Sequence, residues 1–223
     1  MMNNLPKVLI YVSYFSGLVP VYFLLRRRKN LKPRIARLLG ILLFVSTLYD
    51  LISFGVAKEG VPNQVLVNLY FVVLFIVLSN IYAFLLSEWS DGIFTICYIY
   101  CIFFVINSLY IQEINAIQSY ATAVAGAFLL VYAVLYYHYL LKITPVTNPV
   151  KYLPFWINSA VAYYFGFNFI IFILCTYISF QLKEKEVVMM WAFYNINNII
   201  KNILFTVGIS YADSSVTNYK PLR

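Results

Sequence analysis

The sequence predicts an all-α polytopic membrane protein, a single bundle of seven transmembrane helices over residues 1–223 with its N-terminus outside and its C-terminus in the cytoplasm. Three observations carry this expectation. Charged residues make up 11% of the chain against 63% hydrophobic, with a mean hydropathy of +0.81, whereas a water-soluble domain is typically about a quarter charged. The apolar residues fall into seven blocks, each close to the ~20 residues a helix needs to cross a hydrocarbon core. Lys and Arg gather in alternate connections between those blocks, the pattern that cytoplasmic loops carry.

In chain order the blocks are Val8–Leu25, Leu38–Ala57, Val65–Leu86, Gly92–Tyr110, Ile117–Leu141, Phe155–Phe180 and Val187–Tyr211. Strands of a membrane barrel are about ten residues long and alternate in polarity. These runs are continuous and longer, and a helix satisfies its own backbone in lipid. The first block has no small-residue cleavage site and runs straight into Arg26, Arg27, Arg28 and Lys29, so it reads as a retained anchor. The fourth block carries Asn107 and Ser108 near its end. In the fifth, Ala121, Ala125 and Gly126 suit close helix packing.

The first connection holds Arg26, Arg27, Arg28, Lys29, Lys32, Arg34 and Arg37. Placing it inside brings Lys142, Lys151, Lys220 and Arg223 to the same side, eleven cations against the four of Lys7, Lys58, Lys183 and Lys185. Glu88 and Asp91 in the third connection add nothing to this bias. The net charge of +8 is therefore largely one juxtamembrane cluster, suited to anionic headgroups or to an acidic face of a cytoplasmic partner. Nucleic-acid binding would need a folded basic surface with stacking aromatics, and these cations sit in a turn between two membrane helices.

Catalytic machinery is not apparent. Cys97 and Cys101 share a helical face, and Cys175 stands alone; none has the His or carboxylate neighbours of a metal site. The single histidine, His138, lies among Tyr136, Tyr137 and Tyr139, and one imidazole does not make a zinc or haem site. No phosphate-binding loop, dinucleotide fingerprint, nucleophile elbow or His-Glu-x-x-His run is present. The chain reads as non-enzymatic and without a metal or cofactor. Trp89, Trp156 and Trp191 fall near block ends, where indole anchors at the interface.

The polar interior is the informative part. An ionisable group at membrane depth costs about 2.5–3.5 kcal/mol on insertion scales and normally meets a partner or a cavity. Two such groups occur, Asp50 in the second block and Lys201 in the seventh. At about 1.5 Å per residue, Asp50 lies roughly 4 Å outward of the midplane and Lys201 roughly 3 Å inward, within reach of each other if the two helices are neighbours. Lys201 sits in the richest polar stretch, with Asn195, Asn197, Asn198 and Asn202. Asn195, Asn198 and Asn202 share a stripe, with Asn197 and Lys201 beside it, so about half the helix circumference must meet other helices or water. Thr47, Ser53, Asn68, Asn80, Asn107, Asn158, Ser159 and Asn168 are the available partners. Interhelical amide bonds, worth about 0.6 kcal/mol each on average, explain the asparagines as bundle glue. Burying two charges is weak evidence of a stability role alone, so Asp50 and Lys201 point instead to function.

Three functions compete. Asn197-x-x-x-Lys201 resembles the microbial rhodopsin pattern with Asn in place of Asp, but the third block has no acid to serve as counterion and the sixth lacks the Trp and Pro pairing of a retinal pocket. A small transporter or channel would favour internal repeats and broken helices, and only Pro20 interrupts a block. Phe155-Trp156-Ile157-Asn158-Ser159, Tyr163-Tyr164-Phe165-Gly166 and Asn198-Ile199-Ile200-Lys201-Asn202-Ile203-Leu204 resemble a group of uncharacterised bacterial seven-helix proteins, themselves similar to membrane input modules of sensor histidine kinases. That resemblance implies a sensory component of the bacterial cytoplasmic membrane that works beside a separately encoded kinase. Members of the group carry an aromatic residue where this chain has Lys201. About a dozen residues follow the seventh block, so a signal would leave through the first connection, the stretch Thr144–Lys151 or the tail from Ala212.

Overall fold

Helix α1 (Leu5–Ser16) and helix α2 (Leu18–Arg27) form two halves of one rod, interrupted where the chain carries Gly17 and then Pro20. Proline has no backbone N–H and its ring crowds the carbonyl four residues earlier, here that of Ser16. The computed structural model describes residues 5–31, 33–142, 148–181 and 184–212. Lys32, Lys183, Lys220, Arg223 and the first half of the stretch 144–151 lie outside them.

The remaining helices are α3 (Pro33–Lys58), α4 (Gln64–Leu85), α5 (Ser90–Ile106), α6 (Ser119–Lys142), α7 (Leu153–Gln181) and α8 (Glu184–Tyr211). Pro33 opens α3, the position where a missing N–H is harmless. At the other end of α3, Gly60 adopts a positive φ of 67°. There Val61 N–H donates to the Val56 carbonyl at 3.2 Å, the closing bond of a glycine-terminated helix. Asp91 lies in the first turn of α5, where a negative charge complements the helix dipole. α5 ends in a single π-turn over Asn107–Ile111, beside the polar pair seen in the sequence.

The six stretches Leu5–Asn30, Arg34–Val56, Gln64–Leu85, Ser87–Ile111, Ser119–Lys142 and Leu153–Ile173 are long and apolar enough to cross a membrane. They point to an integral membrane protein. Outward-facing side chains are apolar, with Val134 66% and Ile170 67% exposed, an arrangement that water does not stabilise over so wide a surface. α8 is not among the six, although its 28 residues extend about 42 Å. The reason is its polar face, and that face is turned inward: Asn195, Asn197, Asn198, Lys201 and Asn202 are all buried.

α1/α2, α3, α4, α6, α7 and α8 pack in a closed ring, α8 returning against the first rod, while α5 lies outside against α4. Buried amides tie the ring together. Tyr82 on α4 donates to Asn158 Oδ1 at 2.7 Å, and Asn158 Nδ2 donates to the Ala133 carbonyl on α6 at 3.2 Å. Asn68 holds the connection between α5 and α6, donating to the Ile114 and Ala116 carbonyls at 2.9 and 2.8 Å and accepting from Gln118 N–H at 3.1 Å. Ala121, Ala125 and Gly126 are buried as small packing residues; a Cβ on Gly126 would stand 3.4 Å from Phe165 of α7.

Candidate functional site

The break between α1 and α2 organises the centre of the molecule. Ser16 Oγ turns back to the Ser13 carbonyl at 2.7 Å, and Thr47 Oγ1 on α3 donates to the Gly17 carbonyl at 3.2 Å. Only glycine allows that approach, because a Cβ at residue 17 would stand 2.9 Å from Thr47 Oγ1 and 3.6 Å from Asp50 Oδ2. Backbone groups freed inside a membrane bundle need such partners.

α8 completes the arrangement. Asn198 Nδ2 donates to Ser13 Oγ at 3.0 Å and Asn202 Nδ2 to Ser16 Oγ at 2.7 Å. The i, i+3 spacing on α1 thus meets the i, i+4 spacing on α8, each set lying on one helical face. Asn198 also faces the Asp50 carboxylate. Asp50 and Lys201 are close enough for their charges to interact, yet they do not close into a contact ion pair. Lys201 Nζ lies instead 4.7 Å from the centroid of the Tyr164 ring, a cation–π arrangement. The Tyr164 hydroxyl donates to the Tyr194 hydroxyl at 2.9 Å.

A cavity of about 340 Å³ reaches Asp50 from the end of the bundle that carries the start of α1 and the α3–α4 connection. Tyr14, Tyr49, Trp191, Tyr194, Asn195 and Asn198 line it together with Asp50. Tyr49 is held by stacking on Tyr70, centroids 3.8 Å apart and planes 9° apart, and Tyr70 in turn donates to Ser46 Oγ at 3.2 Å. Lys201 is not part of this lining. It borders a separate void of about 10 Å³ among Leu42, Leu74, Leu78 and Phe205. A larger groove of about 580 Å³ runs between α1/α2 and α8, walled mainly by Tyr11, Phe15, Val19, Ile199, Ile203 and Val207, with Ser16, Asn202 and Thr206 along it.

The structure therefore gathers Asp50, Asn195, Asn198, Lys201 and Asn202 in one region, and leaves the other sequence candidates elsewhere. Asn197 accepts from Tyr163 at 3.1 Å and donates to Asn168 Oδ1 at 2.9 Å, joining α7 to α8 away from the cavity. Asn158 serves the α4–α6–α7 tie. Asn80 is only half-buried and donates to its own helix at the Ile76 carbonyl, 2.8 Å away. Sequence reasoning missed Ser13, Ser16 and Gly17, because hydroxyls and a glycine scarcely disturb an apolar block. Trp191, expected as an interfacial anchor, is half-buried and lines the cavity.

At the opposite, basic end, two of the clustered cations are engaged. Arg27 donates to the Ser210 carbonyl in the last turn of α8, where the helix dipole favours a cation, and the Arg34 guanidinium lies 4.6 Å from the centroid of the Phe84 ring. Arg26, Arg28, Lys29 and Arg37 are exposed. Among the described residues no three His, Cys, Asp or Glu side chains cluster as metal ligands. No family model, curated protein or solved structure matches the chain.

Proposed function

We propose that this chain is a non-enzymatic sensory component of a bacterial cytoplasmic membrane, seven-spanning, with its N-terminus outside, that relays the state of its cavity to a separate cytoplasmic signalling protein such as a histidine kinase. In this reading α8 is the seventh span. The eleven-to-four division of cations between the two sides supports the basic end as the inner one. The cavity then opens outward.

The observation that carries the proposal is the path of α8. Its first half contributes Trp191, Tyr194, Asn195 and Asn198 to the cavity, and its last turn receives Arg27 from the basic connection. In this reading α8 is the element that joins the cavity to the basic connection, and a relay would need it to take two positions. A photocrosslinker placed at exposed Lys29 or Arg37 in native membranes is expected to capture a signalling protein, with a yield that changes several-fold when Trp191→Leu alters the cavity. Capture of no such protein, or a yield indifferent to the cavity, overturns the reading.

One observation favours a second reading, a small transporter. The α1/α2 break lies beside two buried charges, the arrangement in which transporters bind substrate near the midplane. Solute flux in proteoliposomes that disappears with Lys201→Ala is the result expected of that alternative.

A further inference from the structure

We infer that the cavity is built for a small organic ammonium ion, an amine carrying an apolar body, with the ammonium group directed at Asp50 and the apolar part against Trp191 and Tyr194. The inference deepens the sensory reading by naming the chemical class its cavity takes, and it rests on that reading only for its biological role.

Three features of the lining combine. Asp50 is the only formally charged residue among the described lining residues, and it stands at the inner end of the cavity. Lys201, the charge that could balance it, is directed to Tyr164 and borders the separate inner void. The lining itself therefore offers a carboxylate and no cation, with Lys201 acting on Asp50 from outside the cavity. Four aromatic side chains, Tyr14, Tyr49, Trp191 and Tyr194, surround the approach. Aromatic rings attract cations through their quadrupole, and cages of this composition are the usual receptors for ammonium groups. An anion of the same shape would meet both the carboxylate and the rings unfavourably. A neutral molecule such as an alcohol replaces the water on a carboxylate with a single uncharged donor, a weaker exchange than the charge-assisted bonds of an ammonium group. The volume of about 340 Å³ lies at the lower end of small-molecule sites, enough for a monocyclic amine.

The polar positions agree with this orientation. Asn198 is committed to Ser13 and to the Asp50 side, and Asn195 donates to the Trp191 carbonyl of its own helix at 2.7 Å. These amide donors are occupied in holding α8 and the carboxylate. What the ligand meets at the floor is an acceptor, which an ammonium group satisfies with its own donors.

The test uses the full-length chain purified in detergent, without any partner protein, and three isosteric probes: benzylammonium, benzyl alcohol and benzoate. Calorimetric titration at pH 7 is expected to show saturable binding of benzylammonium at least tenfold tighter than of the alcohol or the carboxylate, and Asp50→Asn is expected to abolish that preference. Trp191→Leu, at a half-buried position, is expected to weaken benzylammonium by roughly tenfold, within the range a cation–π contact supplies, and it decides the matter where Asp50→Asn reduces the yield of folded protein. Equal binding of the three probes, binding of none, or a preference unchanged in both variants overturns the inference. Because no partner is present, that result leaves the crosslinking outcome standing, and failure of the crosslinking leaves an ammonium site intact.

Discussion

Asp50→Asn is expected to destabilise the solubilised protein more than Lys201→Met, and the double variant to recover much of the loss. Removing one member of a buried pair leaves the other uncompensated, at a cost on the order of 3 kcal/mol, whereas removing both is often close to neutral. The asymmetry follows from where each group sits. Without Lys201, Asp50 still borders the cavity and keeps Asn198 beside it, so water and an amide solvate the charge. Without Asp50, Lys201 retains Tyr164 and an apolar void of about 10 Å³, a poor exchange for a carboxylate. Thermal or denaturant unfolding of the four proteins measures the coupling as a double-mutant cycle. Strict additivity would show that the two charges do not sense each other.

The second large effect is expected at Gly208. A Cβ there would stand 2.4 Å from Trp156 Cβ, 3.0 Å from its Cγ and 3.3 Å from Leu153 Cδ1. The obstructing atoms are the stem of a tryptophan whose indole N–H is fixed to the Val150 carbonyl at 2.8 Å, so relief must come from moving α7 away from α8. Gly208→Ala is expected to cost about 2 kcal/mol by overpacking. Gly55, with no atom within 4 Å of the same ideal Cβ, is the matched control, and Gly55→Ala should be neutral or slightly stabilising, since alanine is the better helix former. Equal behaviour of the two variants in an unfolding experiment would mean that the α7–α8 seam yields to an added methyl group at little cost. Gly208 lies within one turn of Ser210, where Arg27 attaches, so the same substitution should also disturb the basic end.

Much of the helical layout was readable because lipid leaves a one-dimensional record: a helix must be apolar for about 20 residues, and the blocks from Val65 and Ile117 lie close to α4 and α6, while α3 begins at Pro33, ahead of the block from Leu38. The polar stripe of α8 was readable for the same reason, since asparagines and a lysine stand out against an apolar background. Its partners were not. Of the eight polar positions it offered, Asn168 does accept from Asn197 of α8, whereas Asn158 ties α7 to α4 and α6. The residues that receive Asn198 and Asn202 are serines of the first helix, which hydropathy counts as nearly neutral. Helical period fixes which residues share a face, but ring order decides which faces meet, and only the packing of α8 against α1/α2 supplies that order. The cavity was hidden likewise, because tyrosines in a chain with 21 of them carry no individual signal.

The first rod and the last helix are joined across almost the entire chain. Ser13 and Ser16 receive their amide donors from residues 185 and 186 positions later, and Arg27 finds its carbonyl 183 positions later. During synthesis the earliest span therefore enters the bilayer with its hydroxyls and its weakened turn still waiting, and the arrival of α8 is the event that seals the barrel of helices. A chain that stops before residue 198 would have most of its apolar mass in place and the ring open beside Asp50.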